Sequence, residues 1–343
     1  MNDANVKAIL LAAGKGTRLK PLTEVLPKCL MPIDGVPLLA YWLDSLERAG
    51  VSDILVNLHH HADVVERWLS ATNPSIETRL EKELLGTAGT LRAHKQWVDG
   101  EPVMLVHADN LCFADLAAFI DSHENRPAGT VMTMMTFTTP TPRTCGIVET
   151  DENGVLEAFH EKVENPPGDH ANAAVYIVEP EVAEFIVGID TEFVDFSIDV
   201  IPHFLGRIHT WHNGIYHRDI GNLESLLLAQ VELPDHETPK VGVEEWRRFC
   251  ADSGEELIKL FLSALERGLG HRAVSWSEIQ NSSIISGMNI ADLTWSTSMT
   301  QPGEKSIEEL LFLPTIVHKM STRDFFVNQG RFAMAMCRAE KDA

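Results

Sequence analysis

The chain has 343 residues, which is enough for one large domain and an appendage, or for two domains. Of these residues 44% are hydrophobic and 23% are charged, which is the composition of a globular protein. Its 50 acidic and 28 basic residues give a net charge of −22. That charge excludes nucleic acid and anionic membranes as general partners, because like charges repel. The five cysteines are scattered without a C-x-x-C pair, so we expect a cytoplasmic protein without disulfide bonds.

Strands and helices are predicted to alternate through the first 110 residues. The apolar run at 6–13 predicts a buried strand, and 37–50 has helical spacing. Strand, helix, strand, helix and strand patterns follow at 52–59, 62–71, 76–83, 86–97 and 102–109. This alternation predicts an α/β fold with a doubly wound, mostly parallel sheet of Rossmann-like type. Ligands bind outside the carboxyl ends of strands in such sheets, so Gly14, Gly86 and Asp109 are expected to meet in one cleft.

Strand patterns dominate the middle of the chain. They lie at 130–137, at 146–162 as a hairpin, at 171–180, and at 207–221 as a strand pair, with helical patterns at 195–205 and 222–233. The proline-containing stretch 234–240 is typical of a linker. We therefore expect a first domain at 1–234 and a C-terminal extension at 235–343 that is mainly helical at its start and whose role is unknown. No apolar run approaches the ~18 residues of a membrane-spanning helix.

The first loop, ILLAAGKGTRLKPLT at 9–23, is similar to two phosphate-binding loops and completes neither. Its glycines, Gly14 and Gly16, permit positive φ and let a phosphate approach without meeting a Cβ. Four cations stand within fourteen residues of an otherwise acidic chain, at positions 15, 18, 20 and 28. From the residues alone two interpretations stay open: a loop that cradles phosphate oxygens, and a solvated glycine loop with incidental cations.

The longer stretch LAAGKGTRLKPLTEVLPKCL, from residue 11 to residue 30, resembles the signature of the sugar-1-phosphate nucleotidyltransferases, G-x-G-T-R-x-x-P-L-T followed by P-K. Further segments resemble later motifs of that family in the same order; they lie at 83–91, 105–110, 157–166, 171–182, 195–205 and 216–230. Among family members the motifs are most similar to those of mannose-1-phosphate guanylyltransferases. The resemblance implies a nucleotidyltransferase catalytic domain at 1–234, and an enzyme whose partners are a nucleoside triphosphate (NTP) and a sugar-1-phosphate.

The resemblance also implies roles for individual residues. Arg18, Lys28 and Asp109 are expected to be catalytic, and Asp109 and Asp219 to bind the cofactor Mg²⁺. The remaining nucleotide-binding residues are expected to be Leu11, Ala12, Gly14, Gly16, Thr17, Glu83, Gly86 and Thr87. The sugar phosphate is expected to contact Gly146, Glu161, Lys162 and Asn172. A homo-oligomer, in the form of a dimer, is expected as well.

The choice of base and sugar depends on fewer residues. The turn ELLGTAG at 83–89 resembles the guanylyltransferase version, and a carboxylate such as Glu83 could accept hydrogen bonds from guanine, so GTP and a mannose- or heptose-type sugar are favoured. Other functions stay open at this point. They are the same chemistry with UTP or dTTP, activation of a non-sugar phosphate such as phosphocholine, and a catalytically silent subunit that binds a nucleotide sugar.

Overall fold

The computed structural model describes residues 6–33, 36–222, 225–226, 228–229, 232–234, 239, 242 and 246. The chain divides into two compact units. The described residues of the first unit are 6–15, 38–219, 239 and 242, and those of the second are 16–33, 36–37, 220–222, 225–226, 228–229, 232–234 and 246. Of the predicted extension 235–343 only residues 239, 242 and 246 are described, and the rest of its predicted helical start lies outside the described residues. Nowhere in the described ranges is a helix both long and apolar enough to cross a membrane.

In these ranges the strands are β1 (Lys7–Leu11), β2 (Pro32–Ile33), β3 (Val36–Pro37), β4 (Ile54–Leu58), β5 (Glu77–Leu80), β6 (Val103–His107), β7 (Asn110–Phe113), β8 (Met132–Thr138), β9 (Gly146–Thr150), β10 (Leu156–Glu161), β11 (His170–Val178), β12 (Ile208–His212) and β13 (Tyr216–Asp219). The helices are α1 (Leu38–Arg48), α2 (Ala62–Thr72), α3 (Thr87–Ala93), α4 (Lys95–Val98), α5 (Leu116–Glu124) and α6 (Pro180–Val187).

The first unit is built on one large sheet whose centre is parallel. The strands β5, β4, β1 and β6 lie side by side in that order, all parallel, and Leu10 in β1 is in register with Val56 and Val106. Beyond β6 the long strand β11 runs antiparallel and pairs in turn with β8 and β9, and β9 pairs with β10. The predicted fold class, α/β with a doubly wound, mostly parallel sheet, is confirmed.

The core explains why the central strands form where they do. Side chains of β1, β4 and β6 that point to both faces are buried, and Ile9, Leu55 and Leu105 belong to one apolar cluster. A strand covered on both faces needs the continuous apolar run that the sequence has at these positions. The helix α1 is buried over most of its surface, and its Trp42 donates a 2.8 Å hydrogen bond from Nε1 to the carbonyl oxygen of Asn110 at the start of β7.

The segment 207–221 forms two strands, as predicted, but they are not paired with each other. The strand β12 pairs with β8 in parallel, whereas β13 pairs with β7 in antiparallel orientation. The partner β7 begins at Asn110, directly after Asp109, and is absent from the predicted elements because its short apolar run follows β6 without a recognisable turn signal. These long-range pairings determine which side chains meet at the edge of the sheet.

The second unit contains the continuation of the glycine loop. Three short 3-10 turns, Thr17–Leu19, Leu22–Glu24 and Lys28–Leu30, are followed by β2 and β3, which pair antiparallel. The apolar side chains of these turns, including Leu19, Leu22 and Leu30, are fully buried. The loop is therefore anchored by buried apolar side chains.

Candidate functional site

The two predicted metal ligands, 110 positions apart in the chain, lie at one end of the β7–β13 pair in the first unit. Asp109 follows β6, and Asp219 ends β13 opposite Asn110, the next residue after Asp109. Gly14, in the turn after β1, lies beside the same carboxylate, since a Cβ placed on Gly14 would be 3.9 Å from Asp109 Oδ2. The turns after β1 and β6 thus lie near the end of β13, which pairs with β7 in a separate two-stranded sheet.

The electrostatics of this site are visible at His217 in β13. Burial lowers the pKa of His217 to about 4, the carboxylates of Asp219 and Asp109 oppose that shift, and His107 adds to it. Both carboxylates therefore lie close enough to one imidazole to act on it electrostatically. At neutral pH the ring is therefore uncharged and does not offset the negative charge of the two aspartates.

The aspartate pair fits a magnesium ion. Mg²⁺ prefers oxygen ligands and is usually held by one or two carboxylates together with phosphate and water oxygens. Within the described residues no group of three or more His, Cys, Asp or Glu side chains could hold a metal ion. Two carboxylates beside a glycine turn suit a metal whose remaining ligands come from a phosphate and from water.

The predicted base-recognition turn is held by the protein's own backbone. Gly86 has a φ of +85°, and a Cβ there would lie 2.3 Å from the carbonyl oxygen of Val194. That same oxygen accepts hydrogen bonds from the N–H groups of Ala88 and Gly89 at 3.0 and 3.2 Å. The first N–H groups of α3 thus bond to Val194. A glycine is required at position 86 because any Cβ would overlap the carbonyl group of Val194.

The predicted nucleotide-binding residues Thr87 and Glu83 have different surroundings. The hydroxyl oxygen of Thr87 accepts a 2.8 Å hydrogen bond from the N–H of Phe196, which fastens the turn to the segment after α6. The side chain of Glu83 is exposed. Glu81, two residues earlier, is a buried carboxylate at the end of β5 and was not singled out from the sequence. Its position directly after a strand was the available signal.

The two other predicted residues of the β1 end, Leu11 and Ala12, are tied to neighbouring strands. The carbonyl oxygen of Leu11 accepts a 3.1 Å hydrogen bond from the N–H of Ala108, between β6 and Asp109. The N–H of Ala12 donates a 2.6 Å hydrogen bond to Oδ1 of Asn57 in β4. The glycine turn therefore starts from a backbone that is held on both sides.

Three of the predicted sugar-phosphate residues are brought together where β9 and β10 pair. Gly146 is in register with Glu161, and the N–H of Lys162 donates to the carbonyl oxygen of Cys145. The ammonium of Lys162 lies 2.6 Å from Oε1 of Glu161. A Cβ on Gly146 would lie 2.4 Å from the ring of Phe159 and 2.7 Å from Glu161 Oε2, so a side chain at this position would displace both.

Asn172 joins this group from the adjacent strand. Ala171 pairs with Ile147, which brings Asn172 to the level of Gly146. The side-chain amide of Asn172 donates a 2.6 Å hydrogen bond to the hydroxyl of Tyr176, and burial raises the pKa of that hydroxyl. Between them β11 changes register, with Ala174 at a φ of +55°. The family motif that the segment 171–182 resembles, N-x-G-x-Y, has a glycine where this chain has Ala174, the residue with the positive φ.

The predicted residues Gly16, Thr17, Arg18 and Lys28 belong to the second unit. Gly16 has a φ of +56°, and its carbonyl oxygen accepts a 3.0 Å hydrogen bond from the hydroxyl of Thr23. A Cβ there would lie 2.7 Å from Thr23 Cγ2 and 3.4 Å from Lys28 Cβ, so the side chain of Lys28 begins next to Gly16. Lys28 is 6% exposed, whereas Thr17 and Arg18 are exposed.

A family model for the nucleotidyl transferases matches residues 7–236, about two thirds of the chain. The chain therefore belongs to the nucleotidyl transferase family and is a nucleotidyltransferase, and its relatives are enzymes that act on sugar-1-phosphates. One relative, the mannose-1-phosphate guanylyltransferase of Mycobacterium tuberculosis, is 31% identical over 265 residues, which are 75% of this chain and 71% of the relative. The UTP–glucose-1-phosphate uridylyltransferase of Synechocystis is 32% identical over 53% of this chain and 51% of its own length.

Solved structures agree with the fold. A Bacillus anthracis protein superposes with a TM-score of 0.61 at 20% identity and covers 68% of this chain and 98% of its own, which supports the fold alone. HddC from Yersinia pseudotuberculosis, solved also in complex with GMP-PN, gives a TM-score of 0.56 at 25% identity over 66% of this chain and 98% of its own.

Proposed function

We propose that this nucleotidyltransferase transfers the guanylyl group of GTP to a mannose- or heptose-type sugar-1-phosphate and releases pyrophosphate. The observation that carries this choice is the 31% identity, across three quarters of the chain, to a mannose-1-phosphate guanylyltransferase. A guanylyltransferase-like turn at 83–89 and a neighbour solved with GMP-PN support the base. The predicted cytoplasmic location and the predicted dimer stay predictions, as does the division of the chain at residue 234.

The reaction needs positioning more than acid or base chemistry. A phosphate oxygen of the sugar-1-phosphate attacks the α-phosphorus of the triphosphate, and pyrophosphate leaves from the opposite side. The nucleophile is already an anion, so no strong base is required, and the rate depends on in-line alignment and on neutralising charge in the transition state. Backbone N–H groups and cations can meet this requirement directly, and carboxylates can meet it by holding a metal ion.

On the nucleotide side we assign the glycine turn and its cations to the triphosphate. Gly14 and Gly16 let phosphate oxygens approach the backbone, and Leu11 and Ala12 are the residues from which that turn starts. Thr17 can donate its hydroxyl, Arg18 can bind the leaving pyrophosphate with two parallel hydrogen bonds, and Lys28 can stabilise charge at the α-phosphate. Gly86, Thr87 and Glu83 are assigned to the base, the first two through the shape of the turn that they build.

Asp109 and Asp219 are assigned to Mg²⁺. A bound Mg²⁺ would offset negative charge on the phosphate oxygens. On the acceptor side Lys162 binds the phosphate of the sugar, while Glu161, Asn172 and the backbone of Gly146 contact its hydroxyl groups. Phe159 and Glu161 pack closely over Gly146, an arrangement that is possible only because no side chain occupies that position.

The test is a grid of five nucleoside triphosphates against several sugar-1-phosphates, including those of mannose and heptose, with pyrophosphate release measured in the presence of Mg²⁺. Release is expected with GTP and one of these two sugars. Use of UTP or dTTP at least about ten times better than GTP would overturn the base assignment. Silence across the grid together with measurable binding of a nucleotide sugar would instead identify a regulatory subunit.

A second candidate keeps the chemistry and changes both substrates. The Synechocystis relative is named for UTP and glucose-1-phosphate and is 32% identical, although it matches only about half of this chain. The same grid decides between the two, because it measures pyrophosphate release with GTP and with UTP separately. A site built for one base should discriminate against the other, since uracil offers one ring N–H donor and guanine offers a ring N–H and an amino group. The shorter match makes this the less supported choice.

A further inference from the structure

Glu81, Asn57 and Thr90 form a closed group of hydrogen bonds inside the first unit. Glu81 Oε1 accepts a 2.6 Å hydrogen bond from the hydroxyl of Thr90 and a 2.9 Å hydrogen bond from Nδ2 of Asn57. Nδ2 of Asn57 also donates to the hydroxyl oxygen of Thr90 at 2.9 Å. The three residues are 6%, 2% and 1% exposed, respectively. We call them the Glu81 cluster.

The place of the Glu81 cluster in the fold is informative. Asn57 lies in β4, Glu81 follows β5 and Thr90 lies in α3, so the cluster joins the carboxyl ends of two parallel strands to the helix after the Gly86 turn. The hydroxyl of Thr90 is also 3.3 Å from the carbonyl oxygen of Gly86. Ligands of parallel α/β sheets bind at this edge.

The carboxylate determines how the amide of Asn57 is oriented. Because Nδ2 of Asn57 donates to Glu81 Oε1, the NH₂ group of Asn57 faces Glu81, and its carbonyl oxygen faces the opposite way. That oxygen accepts the N–H of Ala12 at 2.6 Å. Ala12 is the first residue after β1, so this bond fixes the backbone from which the glycine turn at Gly14 begins.

We propose that Glu81 is a positioning residue: through Asn57 and Thr90 it holds the β1 end at Ala12 in place relative to the Gly86 turn, so that both parts of the nucleotide site are pre-formed. This inference rests on the proposed function for its kinetic readout and on the hydrogen bonds for its structural readout. Such support from buried neighbours matters because small displacements of a site reduce the rate strongly. Its effect should fall on the NTP and spare the sugar phosphate.

The experiment compares Glu81→Ala, Glu81→Gln and the control Lys82→Ala, an exposed neighbour that contributes nothing to the Glu81 cluster. For each variant KM is measured separately for the NTP and the sugar-1-phosphate, together with kcat and the amide hydrogen exchange of Ala12. Glu81→Ala is expected to raise KM for the NTP at least about 10-fold, because two buried donors lose their acceptor, and to accelerate exchange at Ala12 by a similar factor.

Glutamine keeps an acceptor oxygen at the same place. Glu81→Gln is therefore expected to restore both readouts to within about 3-fold of the unaltered protein, with KM for the sugar phosphate unchanged in every variant. If Glu81→Ala does not fold, Thr90→Val carries the same test with Thr90→Ser as its rescue, because serine keeps the hydroxyl that valine lacks.

Two results would overturn the proposal. Loss of NTP affinity in Glu81→Gln with normal exchange at Ala12 would mean that the carboxylate contacts the nucleotide itself. Unchanged exchange and unchanged KM in Glu81→Ala would mean that the Glu81 cluster positions nothing. If the unaltered protein transfers no nucleotide on the whole grid, the proposed function fails, whereas exchange at Ala12 still decides on the Glu81 cluster.

Discussion

Gly86 and Gly14 follow the same kind of pattern, a glycine after a strand, yet the space beside them is used differently. At Gly86 a Cβ would meet the carbonyl oxygen of Val194 at 2.3 Å, and the φ is +85°. Among the described residues, the atom that a Cβ at Gly14 would meet is Asp109 Oδ2, at an ordinary contact distance of 3.9 Å. The protein itself fills the space beside Gly86. The space beside Gly14 adjoins a carboxylate that we assign to the metal.

This difference separates two reasons for a glycine in a phosphate- or base-binding motif. One glycine permits close packing of two backbone segments, so changing it should alter the free energy of unfolding. The other permits a ligand to approach, so changing it should alter kinetics and spare stability. The predictions below test whether the two readouts separate in this way.

The largest effect is expected beside Gly14. Asp109→Asn removes a negative charge from the proposed metal site, and kcat should fall by about 10³-fold while the melting temperature stays within a few degrees. Pyrophosphate release and thermal unfolding measure the two quantities. Asp190→Asn, an exposed aspartate elsewhere in the first unit, serves as the control. If Asp109→Asn keeps more than a tenth of the activity, Asp109 is not a catalytic residue.

Gly86→Ala should lower the free energy of unfolding by about 3 kcal/mol or more, because the methyl group would overlap the carbonyl oxygen of Val194. Gly129→Ala is the matched control, since Gly129 has a φ of +90° and no atom of the described residues lies within 4 Å of its Cβ position. That variant measures only the cost of placing an alanine at a positive φ, which should lower the free energy of unfolding by about 1 kcal/mol. Equal losses in urea unfolding would show that the contact with Val194 is unimportant.

Gly14→Ala is expected to leave the free energy of unfolding within about 0.5 kcal/mol of the unaltered protein, because the added methyl makes an ordinary contact. KM for the NTP should rise about 10-fold, because a phosphate can no longer approach the backbone as closely. Gly168→Ala should change neither quantity, because in the part of the chain that the structure describes no atom lies within 4 Å of its Cβ position. A large loss of stability in Gly14→Ala would contradict the distinction between the two glycines.

A smaller effect is expected at Thr87. Thr87→Val removes the acceptor of the Phe196 N–H and should lower the free energy of unfolding by about 1 kcal/mol, whereas Thr87→Ser should keep it. Chemical denaturation of the two variants measures the difference. If serine is as unstable as valine, the methyl group of Thr87 and not its hydroxyl fastens the turn.

The smallest effect at neutral pH is expected at His123, a residue buried entirely within the protein. Burial, followed by the charges of Arg126 and His209, lowers the pKa of His123 from 6.5 to about 3. Glu179 Oε1 lies 3.3 Å from its Nε2, but Arg126 already pairs with that carboxylate. The unfolded chain takes up a proton below pH 6.5 and the folded chain does not, so the free energy of unfolding decreases as the pH drops from 6.5 toward 3.

Replacing the ring with a group that does not titrate should flatten this dependence. His123→Gln is expected to lose about 1 kcal/mol less stability than the unaltered protein between pH 7.5 and pH 5.5, with activity at pH 7.5 unchanged. Urea unfolding at the two pH values measures it. Parallel pH dependences in the two proteins would show that His123 is protonated in the folded state.

The sequence was sufficient for the elements whose apolar pattern is local. The strands β1, β4 and β6 and the helix α1 were predicted close to their observed bounds, because burial on both faces of a strand leaves a continuous apolar run. Partners were harder to predict. The strands β12 and β13 were expected to pair with each other, and each pairs with a strand far away in the chain. Local patterning carries no information on such register.

The same limit applies to the candidate site. Gly86 was predicted from its motif, but its contact Val194 is 108 positions away, and no local feature indicates that the pair is needed. Asp109 and Asp219 were paired only through the family resemblance, and the β7–β13 ladder supplies the physical reason for their proximity. Glu81 was passed over in favour of Glu83, because alternation within the strand pattern does not show which carboxylate is enclosed.

The ion pair between Lys162 and Glu161 has a consequence for how an acceptor enters. The ammonium lies 2.6 Å from a carboxylate oxygen. With Lys162 assigned to the acceptor phosphate as proposed, that phosphate would compete with the carboxylate for the N–H groups of one ammonium. A Glu161 oxygen released in this competition could accept a hydrogen bond from a sugar hydroxyl. Inorganic phosphate has no sugar ring to place against Glu161, so this arrangement favours a phosphorylated sugar over inorganic phosphate.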